Sequence, residues 1–217
     1  SVSDTYGSLR IISQDINIRF ERRERNQLYS IKIGEEELLA APVRLNFWRA
    51  LTDNDRGNRA GSRLGCWRDA GNAPGIYNNT KFSIEGYKIL ENGKKVIVTC
   101  GAVICTQPES KATMIYTITS NGIEVDMQFR PDEALPEVPE VSMLFELPGD
   151  FENVTYLGAG PFENYIDRNN AAKIGLYSTT VDDMYTDYLK PQECGNRTGV
   201  RYATLIGNKK TFTVVAE

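Results

Sequence analysis

Histidine is absent from the 217 residues. Without an imidazole there is no Ser–His or Cys–His nucleophilic pair and no ordinary zinc site, which leaves carboxylates, tyrosines and lysines for acid–base work. Positive charge is not in excess either. Twenty-five Lys and Arg stand against 29 Asp and Glu, a net −4, and no basic field favours nucleic acid or an anionic membrane. No apolar run is long enough to span a bilayer. The start, Ser1 to Gly7, has neither the basic nor the apolar region of a signal peptide. Cysteine is sparse: Cys66, Cys100, Cys105 and Cys194 form no Cys-x-x-Cys pair and read as reduced, mostly buried thiols rather than a disulfide framework. Three Asn-x-Ser/Thr triplets begin at Asn78, Asn153 and Asn196; they matter only in a secretory setting.

What the chain does have is alternation of period two, the mark of strands with one buried face. Ile16, Ile18 and Phe20 alternate with Asn17, Arg19 and Glu21, and Tyr29, Ile31 and Ile33 follow across a charged turn from Arg22 to Gln27. Ile123, Val125, Met127 and Phe129 alternate with Glu124, Asp126, Gln128 and Arg130. They are predicted to pair with Met114, Tyr116 and Ile118 across Ser120-Asn121-Gly122, because Asn-Gly favours a two-residue hairpin. Asn92-Gly93 predicts a second hairpin between Tyr87–Glu91 and Lys95–Cys100. Further strands are expected near Val141–Leu147, Val154–Leu157, Ile174–Ser178, Val200–Ile206 and Thr211–Ala216. No long 3.6-residue period occurs, so any helix should be a short turn. The fold class is therefore all-β, an antiparallel sandwich. No linker divides residues 1–217, and the chain reads as one domain. It ends inside what reads as a strand, so its C-terminus reads as truncated.

Three segments concentrate chemistry. Asp53-Asn54-Asp55 opens like a calcium loop, but Gly57 stands at the fifth position and Leu64 at the twelfth, where an EF-hand needs donors. The blander reading is a buried structural turn, Arg49 or Arg56 pairing with a carboxylate. It lies in a long irregular segment, Ala50 to Thr80. Gly158-Ala-Gly160-Pro161 reads as a tight bend; as a dinucleotide fingerprint it fails, since Glu163 replaces the third glycine and no helix follows. Behind it, Glu163, Asn164, Tyr165, Asp167 and Arg168 bring acid, amide, phenol and guanidinium together. Glu163 and Asp167 could share a cleft with Arg168 keeping one ionised; the alternatives are a polar network fixing a loop, or contacts to sugar or subunit. As a glycosidase pair they would have to stand about 5–5.5 Å or 6.5–9.5 Å apart, and catalytic carboxylates usually come from separate rigid elements. Tyr165, Tyr185, Tyr188, Trp48 and Trp67 could offer flat faces to a hexose, although large aromatics are more often core. Gln192, Glu193, Asn196 and Arg197 suit hydroxyls or strand caps equally. No metal site is expected.

These segments carry a resemblance. Phe47-Trp48-Arg49-Ala50-Leu51-Thr52-Asp53-Asn54-Asp55, the complete Gly158–Arg168 run, and Tyr185 to Arg201 with its Pro191-Gln-Glu-Cys-Gly-Asn-Arg197 core are similar to three ordered motifs of one family. It is the C-terminal β-domain, or small-chain region, of the bacterial β-galactosidases of glycoside hydrolase family 2. Leu51 replaces the usual proline, and Phe162 stands where relatives often have histidine or glutamine. The resemblance covers Phe47 to Arg201.

The resemblance implies a supersandwich of the galactose-mutarotase type. It also implies that the catalytic glutamates sit on a separate (β/α)8 barrel, so the chain would be a non-catalytic fragment of an enzyme hydrolysing terminal β-D-galactosides. Its expected role is to support the barrel and an oligomer interface, with the remaining domains of a homo-oligomeric parent as partners and carbohydrate as a further ligand. No cofactor is expected on this chain, though the parent would use Mg and Na ions. The compartment would be bacterial cytoplasm ahead of periplasm. The alternative is a free-standing carbohydrate-binding module in which Glu163, Tyr165, Arg168 and Arg197 hold a sugar. Mutarotase activity gains no support, because mutarotases of similar fold work through histidine.

Overall fold

The computed structural model describes residues 1–13, 15–22, 27–70 and 80–216. The turn expected after Arg22, the triplet at Asn78 and the latter part of the Ala50–Thr80 segment lie wholly or largely outside the described residues. The chain divides into two compact units, one of Ser1–Arg49 with Asp55–Glu146, the other of Ala50–Asn54 with Leu147–Glu217.

In the first unit, β1 (Val2–Asp4), β2 (Ser8–Ile12), β3 (Ile16–Glu21), β4 (Leu28–Ile33) and β5 (Glu36–Glu37) form an antiparallel meander in chain order. Ile18 and Phe20 point inward as the alternation requires, but Tyr29 does not. The register passes from Arg19↔Ser30 to Phe20↔Leu28, leaving Tyr29 as the extra residue of a bulge. A bulge disrupts the alternation around it; Ser30 and Ile31 are both buried, Ile31 as expected, while Tyr29 and Ile33 are exposed. The Arg19 guanidinium lies 4.9 Å over the Tyr29 ring.

After β6 (Arg44–Asn46) the chain enters the segment expected to be irregular. It instead builds three short helices, α1 (Asp53–Gly57), α2 (Ala60–Arg63) and α3 (Gly65–Ala70). None is long enough to impose a visible 3.6-residue period. Trp67 of α3 is wholly buried, its Nε1 donating to the Pro136 carbonyl at 3.0 Å. That corrects its candidacy as a sugar platform.

A second sheet of this unit runs β10-β9-β8-β7 through β7 (Lys81–Leu90), β8 (Lys95–Ile104), β9 (Ser110–Thr119) and β10 (Gly122–Arg130). The hairpin expected at Asn121 forms, with Ile123↔Ile118, Val125↔Tyr116 and Met127↔Met114 opposed. Its two loop residues are Ser120 and Asn121, because Gly122, at φ 145°, already pairs with Thr119. Phe20 meets Tyr116 edge-on with ring centroids 5.1 Å apart, which packs the two sheets face to face. Phe129 of β10 closes against Phe47 and Trp67 at 4.9 and 5.9 Å. β11 (Ser142–Leu144) pairs with β6 as a separate ribbon.

In the second unit, β12 (Asn153–Gly160), β13 (Lys173–Thr180), β14 (Tyr202–Ile206) and β15 (Thr211–Val215) form one antiparallel sheet in the order β13-β12-β14-β15. The described residues are thus nearly all-β, built of antiparallel sheets with no barrel among them. None of the four cysteines forms a disulfide; only Cys100 is buried and the other three are half-buried, against the expectation of mostly buried thiols. Burial pushes the Cys100 thiol up to about 12, helped by Glu85, so it stays protonated and inert.

Candidate functional site

β12 runs through Gly160, so Gly158 and Gly160 lie in a strand rather than in the bend that the sequence suggested. A Cβ at Gly160 would fall 2.5 Å from the Tyr156 hydroxyl and 2.8 Å from the Tyr177 ring. The glycine therefore makes room for two tyrosines packed across neighbouring strands. The bend follows at the cis Gly160–Pro161 bond. Tyr165 and Arg168 then exchange both backbone hydrogen bonds, at 3.2 and 2.9 Å, leaving Ile166 and Asp167 at the corner of a two-residue turn.

Glu163 sits at the centre of this segment with its side chain only 10% exposed. Oε1 accepts from Arg168 Nη2 at 2.5 Å and from the Tyr188 hydroxyl. Oε2 accepts from Thr186 Oγ1 at 2.9 Å and from the Gly195 backbone N–H at 2.8 Å. Arg168 Nη2 also donates to the Tyr188 oxygen at 2.9 Å, closing a ring of three side chains. An ionised carboxylate offers about four lone-pair positions, and all are engaged. Burial alone would raise the pKa of Glu163, but the Gly195 amide, the Tyr188 and Thr186 hydroxyls and Arg168 outweigh it and hold the group down to about 2. Gly195 presents its N–H from φ 81°, and a Cβ there would meet the Met184 carbonyl at 2.8 Å; no other residue fits.

Asn164 is the second knot, 1% exposed. Its Nδ2 donates to the carbonyls of Ala159 and Phe162, both at 3.0 Å, and its Oδ1 accepts from Thr198 N at 2.9 Å and Thr198 Oγ1 at 2.5 Å. Its backbone is bonded to Asn196 in both directions, through Asn164 N to Asn196 O at 2.8 Å and Asn196 Nδ2 to Asn164 O at 2.7 Å. Arg197 Nε donates to the Tyr156 hydroxyl at 3.1 Å and its Nη1 to the Gly195 carbonyl at 3.0 Å. The second and third chemical segments, some thirty residues apart, are therefore laced into one polar knot. Local periodicity holds no signal for it.

The remaining candidates are placed differently. Asp167 is exposed at the turn corner and, among the described residues, makes no hydrogen bond or ion pair. The Tyr165 hydroxyl is buried without a well-formed hydrogen bond. Burial pushes it up to about 12; the nearby Asn196 amide partly offsets this, and Glu193, Glu163 and Cys194 add to it. Glu193 is half-buried beside this knot. Arg49 pairs with Asp55 at 2.5 Å, as expected of one of the two arginines. Asp53 and Asn54, expected in a buried turn, are exposed at the start of α1; the Asp53 amide donates to Gln192 Oε1 at 3.2 Å. Thr186, Thr198 and Tyr156 are knot residues that the sequence reading missed. Among the described residues no cluster of three or more His, Cys, Asp or Glu could hold a metal.

The family model for the β-galactosidase small chain matches residues 12–216. The chain belongs to the β-galactosidase small-chain family. It is 33% identical over 210 residues to a β-galactosidase of Priestia megaterium, covering 96% of this chain and 19% of that protein. A β-galactosidase of Halalkalibacterium halodurans is 30% identical over 212 residues, with 92% and 20% covered, and one of Streptococcus thermophilus 31% over 206, with 91% and 19%. The chain thus spans about a fifth of the length of these relatives, and the match embraces all three chemical segments.

Proposed function

We propose that this chain is a non-catalytic part of a glycoside hydrolase family 2 β-galactosidase, shaping and supporting the barrel that cleaves terminal β-D-galactosides and contributing to the parent's oligomer interface. In this reading both units belong to one supersandwich domain of the galactose-mutarotase type, and any Mg or Na ion is held elsewhere in the parent. The observation that carries the proposal is the saturation of Glu163. A general acid must hold a proton near neutral pH and a general base needs a free lone pair. Glu163 has neither, with its pKa held near 2 and four donors on its two oxygens. Asp167, its only carboxylate neighbour within the turn, stands exposed with nothing to position it.

The same bonds weigh against a sugar-binding module. Glu163 and Arg197 spend their polar groups on the protein itself, and the Tyr165 hydroxyl is buried. The test is turnover of nitrophenyl-β-galactoside by the purified chain, together with calorimetric titration of galactose and lactose. Neither hydrolysis nor heat is expected. Saturable turnover abolished by Glu163→Gln would overturn the proposal, and millimolar sugar binding lost in Tyr165→Ala would replace it with the module.

A further inference from the structure

In the first unit, β10 is the outermost strand of its sheet, nine residues long, and among the described strands it pairs with β9 alone. Its inward row, Ile123, Val125, Met127 and Phe129, is only half-buried, whereas the facing Ala112, Met114, Tyr116 and Ile118 of β9 are buried. The apolar layer between the sheets therefore ends in the open at β10. The outward row is Glu124, Asp126, Gln128 and Arg130, all exposed. Among the described residues none of the four has a hydrogen bond or ion pair from its side chain. Their own sheet offers the charges no partner: the cross-strand neighbours are Thr117, Ile115, Thr113 and Lys111, and Lys111 repels Arg130. Charge of one sign along an edge strand keeps copies of a protein apart. Here the sign reverses along the strand, with acid in its first half and base at its end.

We infer that β10 joins two copies of this chain, strand against strand, antiparallel about a two-fold axis at Met127. The charges select the register. With Met127 opposite its own copy, Glu124 faces Arg130 of the second copy and Asp126 faces Gln128, each twice by symmetry. An axis at Asp126 would oppose two aspartates, and an axis at Gln128 would set Glu124 against Asp132. On the inner face, Val125 meets Phe129 and Met127 meets Met127, which carries the apolar layer across the axis. Pro131, next in the chain, has no N–H to extend the ladder and bounds the contact. A strand of another sequence would have to match this pattern separately, whereas a second copy matches it by symmetry. The contact gives the oligomer interface of the functional reading a segment and a register, and rests on that reading only for the expectation that copies associate.

Sedimentation equilibrium of the 217-residue chain, from about 1 μM to 1 mM, tests the contact with a charge swap. The wild-type chain should dimerise reversibly, and more weakly as salt rises. Glu124→Arg and Arg130→Glu each bring like charges together twice, and each should weaken the dimer about a hundredfold. The double variant Glu124→Arg/Arg130→Glu restores opposite charges in the same register and should recover about a tenth or more of the wild-type affinity. Both substitutions fall on exposed side chains, so the far-UV spectrum should not change; the salt dependence reads the same charges with no substitution at all. A wild-type chain that stays monomeric overturns the contact. So does a dimer indifferent to salt or to either single reversal, or one that the double variant fails to recover. Turnover of nitrophenyl-β-galactoside by the same preparations bears on the functional reading alone. Dimers that hydrolyse sink that reading and leave the contact standing, and an inactive monomer does the reverse.

Discussion

In the first unit Phe20 meets Tyr116 edge-on, and Phe47, Trp67 and Phe129 close on one another. In the second, the buried apolar residues among those described are Phe151, Val154, Tyr156 and Ala159, and the deepest side chain is Asn164. Two sheets facing each other can sequester a continuous apolar layer, worth about 25 cal/mol per Å² removed from water. A single four-stranded sheet with long loops cannot. The second unit holds its loops instead by saturating a carboxylate and an amide with donors and acceptors drawn from segments distant in sequence. The two strategies fail differently. Apolar packing is insensitive to pH and tolerant of the exact partner, whereas a polar knot is sensitive to the loss of any one atom.

The sharpest way to break that contrast is Asn164→Asp, nearly isosteric and therefore silent toward packing. It replaces two donors by an acceptor facing the Ala159 and Phe162 carbonyls. Burying an unpaired charge and orphaning two carbonyls should cost about 4 kcal/mol in the second unit. Urea unfolding with hydrogen exchange resolved by residue measures it; a cost below about 1 kcal/mol would mean that the knot is ornament. Next comes the matching change in the first unit, Trp67→Ala, which should cost about 3–5 kcal/mol through the cavity it leaves. That loss should be equal at pH 7 and pH 3, since the surrounding rings do not titrate there.

Glu163→Gln separates the units through pH. The folded pKa of about 2 lies below the ordinary 4.5, so the group stabilises fully above the ordinary value, and the contribution is lost as pH falls from there toward 2. The difference corresponds to at most about 3 kcal/mol. Wild-type stability should therefore drop through that window, and the drop should flatten in Glu163→Gln, which pays most of the cost already at pH 7. Parallel pH profiles for the two proteins would remove Glu163 from the account.

How much of this was legible follows from the same physics. Where strand partners are local and unbulged, as in β9 and β10, alternation gives face, pairing and hairpin directly. Where an extra residue enters, as at Tyr29, the pattern misleads, because nothing in Leu28-Tyr29-Ser30 announces a bulge. The knot was half visible. Arg168 is close enough in sequence to Glu163 to be paired with a carboxylate, and Gln192, Glu193, Asn196 and Arg197 drew notice as a polar cluster. That Thr186, Tyr188 and Gly195 converge on one carboxylate depends on the path of two loops, which no short-range spacing encodes. The glycines before Pro161 misled for the opposite reason: composition suggested a turn, whereas Gly160 serves the approach of Tyr156 and Tyr177.

The smallest effect is expected where the knot is imperfect. The Tyr165 hydroxyl is buried without a well-formed partner, although the ring supports the Arg168 guanidinium at 5.3 Å. Tyr165→Phe keeps that ring and removes an oxygen whose desolvation is not repaid. Unlike the polar changes at Glu163 and Asn164, it should be neutral or stabilise by up to about 1 kcal/mol. Thermal unfolding of the purified variant measures the sign. A loss of more than about 1 kcal/mol would place a partner on that oxygen, and Tyr165 would then join Glu163 and Asn164 as a fully engaged member of the knot.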